Sequence, residues 1–199
     1  MRPMKNKPDN IYQQILSVGE ELIQTKGYNA FSYRDISEII GIKTSSIHYY
    51  FPSKSDLGEA VVKHHVELLC NELEQLKNNN KLSERKKLKL FFESIFAKTY
   101  LSDRKMCLGG MLASDVLTLP ENIQAEVRIF FSRIESWLQE LFIEGLAQDE
   151  FCIEKKEIKQ EVRHILSMLE GGLLLARLYR EEHRLTEICK FIMDRVTQD

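Results

Sequence analysis

The chain has 199 residues, of which 43% are hydrophobic and 29% charged, a composition that argues against wholesale disorder and suits one large or two small packed domains. With nine glycines and four prolines it is poor in the turn residues of β-sandwiches and barrels, so we expect an all-α protein. The formal net charge of −2 argues against a protein that is basic throughout, as many nucleic-acid-binding proteins are.

The positive charge is local and lies near the start of the chain. Residues 1–65 hold eight Lys and Arg against seven Asp and Glu, whereas residues 66–199 are acidic. Two short stretches carry basic residues and no acid, namely Arg2–Lys7 and Gly41–Lys54. The first belongs to a basic arm at residues 1–8, a candidate contact for the phosphates or the minor groove of DNA. A small DNA-binding surface needs only such local charge.

Apolar residues at helical spacing predict a first helix over about residues 9–26, ended by Gly27. Ser32 followed by Asp35 is a capping signal that opens a second helix, and Gly41 ends it. A short third helix is predicted over Thr44–Tyr50. Phe51 and Pro52 stop it, and Ser53 with Asp56 opens a fourth helix to about Leu76.

The remaining pattern predicts five more helices, and no alternating strand pattern occurs. No apolar run is long enough to span a membrane, no signal peptide is visible, and the four cysteines lack metal-ligand spacing. We therefore expect a cytoplasmic protein with free thiols, no bound metal and no cofactor. The predicted helices cover about Ser83–Leu101, Gly109–Thr118, Pro120–Ala147, Glu154–Arg180 and Thr186–Val196.

Two short helices joined by a turn that begins with glycine predict a helix-turn-helix, whose second helix enters the major groove of DNA. Small hydroxyl residues at the start of that helix let the backbone approach phosphates, and basic and tyrosine side chains add further contacts. Within Ser32–Lys54, the candidate DNA-binding residues are Lys43, Thr44, Ser45, Ser46, His48, Tyr49, Tyr50 and Lys54.

The stretch F-S-Y-R-D-I-S-E-I-I-G-I-K-T-S-S-I-H-Y-Y-F-P-S-K-S-D-L resembles the DNA-binding domain of the TetR/AcrR family over about residues 10–65. The resemblance implies about nine helices, a homodimer, an operator with two half-sites, and release from DNA when a small effector binds. It also implies base or phosphate contacts by Lys43, Thr44 and Ser45, and a phosphate contact by Lys54. His48 stands where many members carry tyrosine, so a phosphate contact there is either absent or dependent on pH.

The predicted division is a DNA-binding domain at residues 1–65 and an effector-binding and dimerisation domain at residues 66–199. Pockets for small molecules are mostly apolar with a few polar groups, although aromatic and methionine side chains at helical spacing equally suit a plain core. The candidate effector-pocket residues are Phe92, Phe96, Tyr100, Cys107, Met111, Asp115, Trp137, Met168 and Glu170.

Cys107 is a candidate sensor as well as a candidate core thiol. Arg104 and Lys105 stand close to it, and an apolar helix follows. Basic neighbours and a helix N-terminus favour the reactive thiolate. The stretch C-L-G-G-M-L-A-S-D-V resembles that of family members with a cysteine at this place, some of which sense electrophiles. Two functions therefore remain open. The protein is either a ligand-responsive repressor, in which Cys107 is an inert thiol, or a redox or electrophile-sensing regulator that is switched through Cys107.

The last two helices carry apolar faces that predict a homodimer built as a helix bundle, with packing inside one chain as the alternative. A rival from another class is an all-helical carrier or enzyme with a non-functional helix-turn-helix. Because no catalytic motif is present, we expect no enzyme activity and assign no catalytic residue. The apolar faces comprise Ile158, Val162, Ile165, Leu169 and Leu173, then Ile188, Phe191, Ile192 and Val196.

Overall fold

The computed structural model describes residues 8–197, and within them it contains nine α-helices, three short 3-10 turns and no strand. This confirms the all-α prediction. The basic arm at residues 1–8 lies almost wholly outside the described residues. The helices are α1 Pro8–Lys26, α2 Tyr33–Ile40, α3 Thr44–Tyr50, α4 Lys54–Lys77, α5 Glu84–Lys98, α6 Leu108–Ser114, α7 Glu121–Ala147, α8 Ile158–Tyr179 and α9 His183–Val196.

Four predicted helix ends differ from the structure by three or four residues, and one of them is the start of the ninth helix, which lies at His183 and not at Thr186. The fifth helix ends at Lys98, and the next residues form turns in which Asp103 and Arg104 both adopt positive φ angles, of 61° and 54°. The segment predicted as one helix to Thr118 breaks at Asp115, after which Val116–Thr118 forms a 3-10 turn. The eighth helix begins at Ile158 because Lys155–Glu157 is also a 3-10 turn.

The described chain divides by its internal contacts into two compact units. The first runs to Glu67 and also includes Leu108–Arg128, and the second comprises Leu68–Cys107 and the residues from Ile129 onwards. Both α4 and α7 pass from one unit to the other. The sequence alone gave no sign that Leu108–Arg128 packs with the N-terminal helices. The assignment of functions to residues 1–65 and 66–199 stays a prediction.

The first unit has a core of fully buried isoleucines from its first three helices, Ile15, Ile23, Ile36 and Ile47. The start of α7 is fixed to α4 by Asn122, which accepts a hydrogen bond from Ser55 Oγ (2.8 Å) and donates one to Glu59 Oε2 (2.6 Å). Helix α6 packs on α1. The DNA-binding candidates therefore stand on a frame that includes residues from the middle of the chain.

The second unit buries the apolar faces of α8 and α9 within the same chain. Seven of the nine residues predicted to face a partner are buried here, and the intrachain alternative applies to them. Phe191 remains 58% exposed and Ile188 is half-buried. The buried residues are Ile158, Val162, Ile165, Leu169, Leu173, Ile192 and Val196.

A different face of α8 carries the exposed apolar side chains. Leu174, Leu175 and Leu178 are 57%, 43% and 68% exposed. Together with Gly171, whose α-carbon has open space beside it, they follow the i, i+3, i+4, i+7 spacing of one helix face. We call Gly171, Leu174, Leu175 and Leu178 the α8 stripe.

Candidate nucleic-acid interface

Helix α2 and the turn after it are fixed by local hydrogen bonds of the predicted kind. The Ser32 backbone N–H and side chain both donate to Asp35 Oδ2, each at 2.8 Å, which forms the capping box. These hydrogen bonds lower the pKa of Asp35. At the other end Gly41 takes a left-handed conformation, with φ 77°, and its N–H donates to Ser37 O at 2.9 Å. The chain then turns directly into α3.

Helix α3 occupies Thr44–Tyr50, as the sequence predicts, and it buries Ile47 completely. One side of the helix faces the core, so its other side chains form a continuous outer surface. Lys43, Thr44, Ser45, His48 and Tyr49 are exposed, and Tyr49 reaches 82% exposure. Ser46 and Tyr50 are half-buried. The structure therefore brings together seven of the eight candidate DNA-binding residues on or beside one short helix.

Aromatic contacts fix the C-terminal end of α3. The Tyr50 ring lies 6.1 Å from that of Tyr12 in α1, and the Phe51 ring stacks on Tyr12 at 5.1 Å between centroids. The Tyr33 hydroxyl lies within hydrogen-bonding distance of the carbonyl oxygens of Phe51 and Ser53. Burial raises the pKa of Tyr33, and the nearby Asp56 raises it further, so this hydroxyl remains a neutral donor.

His48 packs its ring edge-on against Tyr33, with 4.7 Å between centroids. Its Nδ1 lies 3.2 Å from the carbonyl oxygen of Pro52, which can only accept a hydrogen bond. In the neutral ring this contact places the proton on Nδ1 and leaves Nε2 as an acceptor. An acceptor suits a base-edge donor and opposes a phosphate, whereas a doubly protonated ring can donate to a phosphate.

Lys54 is used inside the first unit rather than on the exposed surface. Its Nζ donates to the Phe31 carbonyl oxygen and lies 4.7 Å and 4.3 Å from the ring centroids of Tyr28 and Phe31. Burial lowers the pKa of this ammonium, and Asp35 partly offsets the effect. In this conformation the charge is engaged by a carbonyl and two aromatic faces. We call the Phe31 carbonyl and the rings of Tyr28 and Phe31 the Lys54 cage. The phosphate contact expected of Lys54 would require its ammonium group to leave this cage.

Arg34 is an exposed cation near the candidate surface that the sequence argument did not select. It lies in the first turn of α2, its side chain is 84% exposed, and its Nε donates to Glu38 Oε1 at 2.9 Å. The first helix of a helix-turn-helix crosses the DNA backbone, so the position of Arg34 in α2 could have identified it as a candidate phosphate contact. The sequence argument counted local charge, and in that count Glu38 cancels the charge of Arg34.

The candidate effector residues are divided between the two units. Met111 and Asp115 belong to the first unit, where both lie near Gly27. Trp137 is a satisfied core residue of the second unit, because its Nε1 donates to Leu73 O at 2.9 Å. The Cys107 thiol, in contrast, donates to the Glu170 carboxylate. The remaining candidates lie in the second unit, where Phe92, Phe96 and Tyr100 are buried and Met168 is half-buried.

The bond from Cys107 bears on the sensor hypothesis. The Glu170 carboxylate beside this thiol does not favour the thiolate, which is the form that reacts with electrophiles. Among the other cysteines, burial raises the pKa of Cys189 to about 12, and Cys152 is exposed.

Between residues 8 and 197, no group of three or more metal-ligating side chains is close enough to hold an ion. The same residues include no helix that is both long and apolar enough to cross a membrane.

Comparison with known proteins gives the family. Residues 15–61 match the family model described as bacterial regulatory proteins of the tetR family. The chain is 25% identical over 175 residues to an uncharacterized HTH-type transcriptional regulator in the lacX 3'region of Lactococcus lactis subsp. lactis, covering 86% of each chain.

Solved structures agree over nearly the whole length. A TetR transcriptional regulator from Legionella pneumophila is 42% identical, with a TM-score of 0.86 over 96% of this chain and 97% of that chain. A TetR family regulator from Agrobacterium tumefaciens is 28% identical, with a TM-score of 0.90 over 96% of this chain and 100% of that chain. With the capped helix-turn-helix and its exposed second helix, these similarities show that the chain belongs to the TetR family of DNA-binding transcriptional regulators.

Proposed function

We propose that the protein is a cytoplasmic, ligand-responsive repressor that binds a palindromic operator through α3 and leaves it when a small molecule binds the second unit. The observation that carries the DNA-binding part is the exposed outer face of α3, held by the buried Ile47 and the capped α2. This face carries hydrogen-bond donors for phosphate oxygens and base edges. They are the hydroxyl groups of Thr44 and Ser45, the Lys43 ammonium and the Tyr49 phenol.

We further propose that the protein acts as a homodimer through α8 and α9. The support is the α8 stripe with the exposed Phe191 of α9, since a row of exposed leucines is unusual on a monomer surface. A two-fold operator also needs two recognition helices about 34 Å apart, which one chain cannot supply. The interface residues proposed here replace the buried apolar positions that the sequence pattern selected.

The DNA-binding surface is tested with a duplex selected from a random library by the wild-type protein. We expect Lys43→Ala and Tyr49→Ala to weaken binding at least about tenfold in fluorescence anisotropy, because each removes one or more contacts of about 1–3 kcal/mol. Lys86→Ala is the matched control, since Lys86 is an exposed lysine of α5, outside the helices proposed for DNA binding and dimerisation. Unchanged binding by both variants of the α3 surface would show that the interface lies elsewhere.

Release by an effector is tested with the same duplex and a small-molecule library, scored by loss of anisotropy. Electrophile sensing through Cys107 is the second candidate that the same assay examines. An electrophile acting through this thiol releases the wild-type protein and does not release Cys107→Ser. The Glu170 carboxylate beside the Cys107 thiol favours reversible binding as the first candidate, because a neighbouring negative charge opposes the thiolate that electrophiles need.

A further inference from the structure

Glu170 carries an unsatisfied acceptor inside the second unit. It lies in α8, and its Oε2 atom is buried from solvent with no hydrogen-bond partner among residues 8–197. Burial raises the pKa of this carboxyl, and the hydrogen bond from Cys107 only partly opposes the effect. A buried acceptor of this kind costs about 1–3 kcal/mol when left unpaired, so its presence calls for a physical explanation.

The chemistry of the Glu170 carboxylate defines which kind of group could pair with Oε2. Cys107, from the segment between α5 and α6, already donates its one thiol proton to the carboxylate. A carboxylate only accepts hydrogen bonds, so a second partner must be a donor. Anionic ligands are disfavoured by repulsion. A charged N–H donor gives a hydrogen bond about twice as strong as a neutral one and also neutralises the buried charge.

We propose that the Glu170 carboxylate is the polar recognition group of the effector site and binds the ammonium group of a small organic amine. Cys107 holds one side of the carboxylate and leaves Oε2 for the ligand. This inference rests on the proposed function in treating the second unit as the effector-binding part, and it specifies the effector class. Both residues belong to the second unit, and each side chain is partly accessible.

The premise is tested without any ligand, by thermal unfolding of wild-type protein and Glu170→Gln between pH 5 and 8.5. A carboxyl whose pKa is raised on folding destabilises the fold increasingly as the pH rises from its ordinary value through the raised one. The melting temperature of Glu170→Gln relative to wild type should therefore increase with pH. Glu74→Gln, which removes an exposed carboxyl of α4, is the control and should show no such trend. A relative melting temperature of Glu170→Gln that stays constant or falls would overturn the proposal.

The ligand class is tested by titration calorimetry with an alkylamine series and phenethylamine, each paired with the alcohol of the same carbon skeleton. We expect at least one amine to bind tenfold or more tightly than its alcohol. Glu170→Gln should lose that advantage, and Glu74→Gln should keep it. If no amine binds, if the alcohols bind equally well, or if Glu170→Gln retains the preference, the proposal is wrong.

A third measurement locates the bound amine. It should slow alkylation of Cys107 by iodoacetamide, followed by peptide mass spectrometry, and leave the exposed Cys152 unaffected. Equal labelling of Cys107 with and without bound amine would place the amine away from Glu170 and contradict the proposal. All three experiments use the full chain without DNA. Failure of operator binding would therefore contradict the proposed function and leave the amine result intact.

Discussion

Lys54 shows how the same residue can have different roles in a sequence motif and in a structure. Its position after α3 implies a phosphate contact, but its Nζ lies between the rings of Tyr28 and Phe31 and donates to the Phe31 carbonyl. Sequence spacing fixes where a long side chain starts and not where its charged end goes. The exposed α3 residues could be predicted because a seven-residue helix with one buried isoleucine exposes the rest of its surface.

Lys54→Met separates an internal role from a DNA contact. It keeps the length of the side chain and removes the charge, so we expect a loss of about 1–3 kcal/mol in the free energy of unfolding from the broken hydrogen bond and cation–π contacts. The slope of log K against log salt for operator binding should equal that of wild type, because no phosphate contact is lost. Lys43→Met is the comparison, with normal stability and a slope reduced by about one. A reduced slope in Lys54→Met would show that the ammonium leaves its cage for a phosphate.

At the scale of helices, prediction succeeded where the signal is local and failed where it comes from distant residues. The caps at Ser32 and Ser53 bond to aspartates three residues ahead, so the sequence contains both partners. The sequence around Asp115, where the helix breaks, differs little from the sequence of many helix interiors, so the break could not be predicted. The packing of Leu108–Arg128 with the first unit depends on contacts such as Ser55 with Asn122, 67 residues apart.

Gly145 in α7 illustrates a tertiary requirement that helix propensity opposes. A Cβ atom there would lie 2.2 Å from the Phe151 ring, which also packs on Phe142. We expect Gly145→Ala to lower the free energy of unfolding by about 1–3 kcal/mol in denaturant titration, despite alanine's advantage of about 1 kcal/mol in a helix. In a Phe151→Leu background the loss should become smaller, because the smaller side chain can move aside. An equal loss in both backgrounds would mean that the ring contact is not its cause.

For the whole molecule, the proposed dimer brings two copies of α3 to one operator. The α8 stripe follows one helix face, and in the proposed dimer a two-fold axis would place the same face of a second chain against it. The sequence could indicate that the last helices have apolar faces. It could not show which face the chain itself covers, because Leu169 and Leu173 have the same character as Leu174 and Leu178.

Leu178→Glu tests this arrangement. A charge in a face that is buried between two copies should dissociate the dimer, so we expect light scattering to give the mass of one chain, about 23.3 kDa, in place of twice that mass. Leu117→Glu makes the same substitution at a leucine of the first unit that is 97% exposed, and it should leave the mass unchanged. A dimeric Leu178→Glu would place the interface elsewhere.

The Tyr33 hydroxyl and the Lys54 cage also have a thermodynamic consequence. Because they fix the chain on both sides of Pro52, α3 has its orientation before any DNA is present. A free helix of seven residues would be unstable in water, and ordering it would cost about 1–2 kcal/mol of conformational entropy per residue. Here that entropy is lost when the chain folds. In the proposed complex the heat capacity change of operator binding should then reflect buried surface and not helix formation, because α3 would bind as a rigid body.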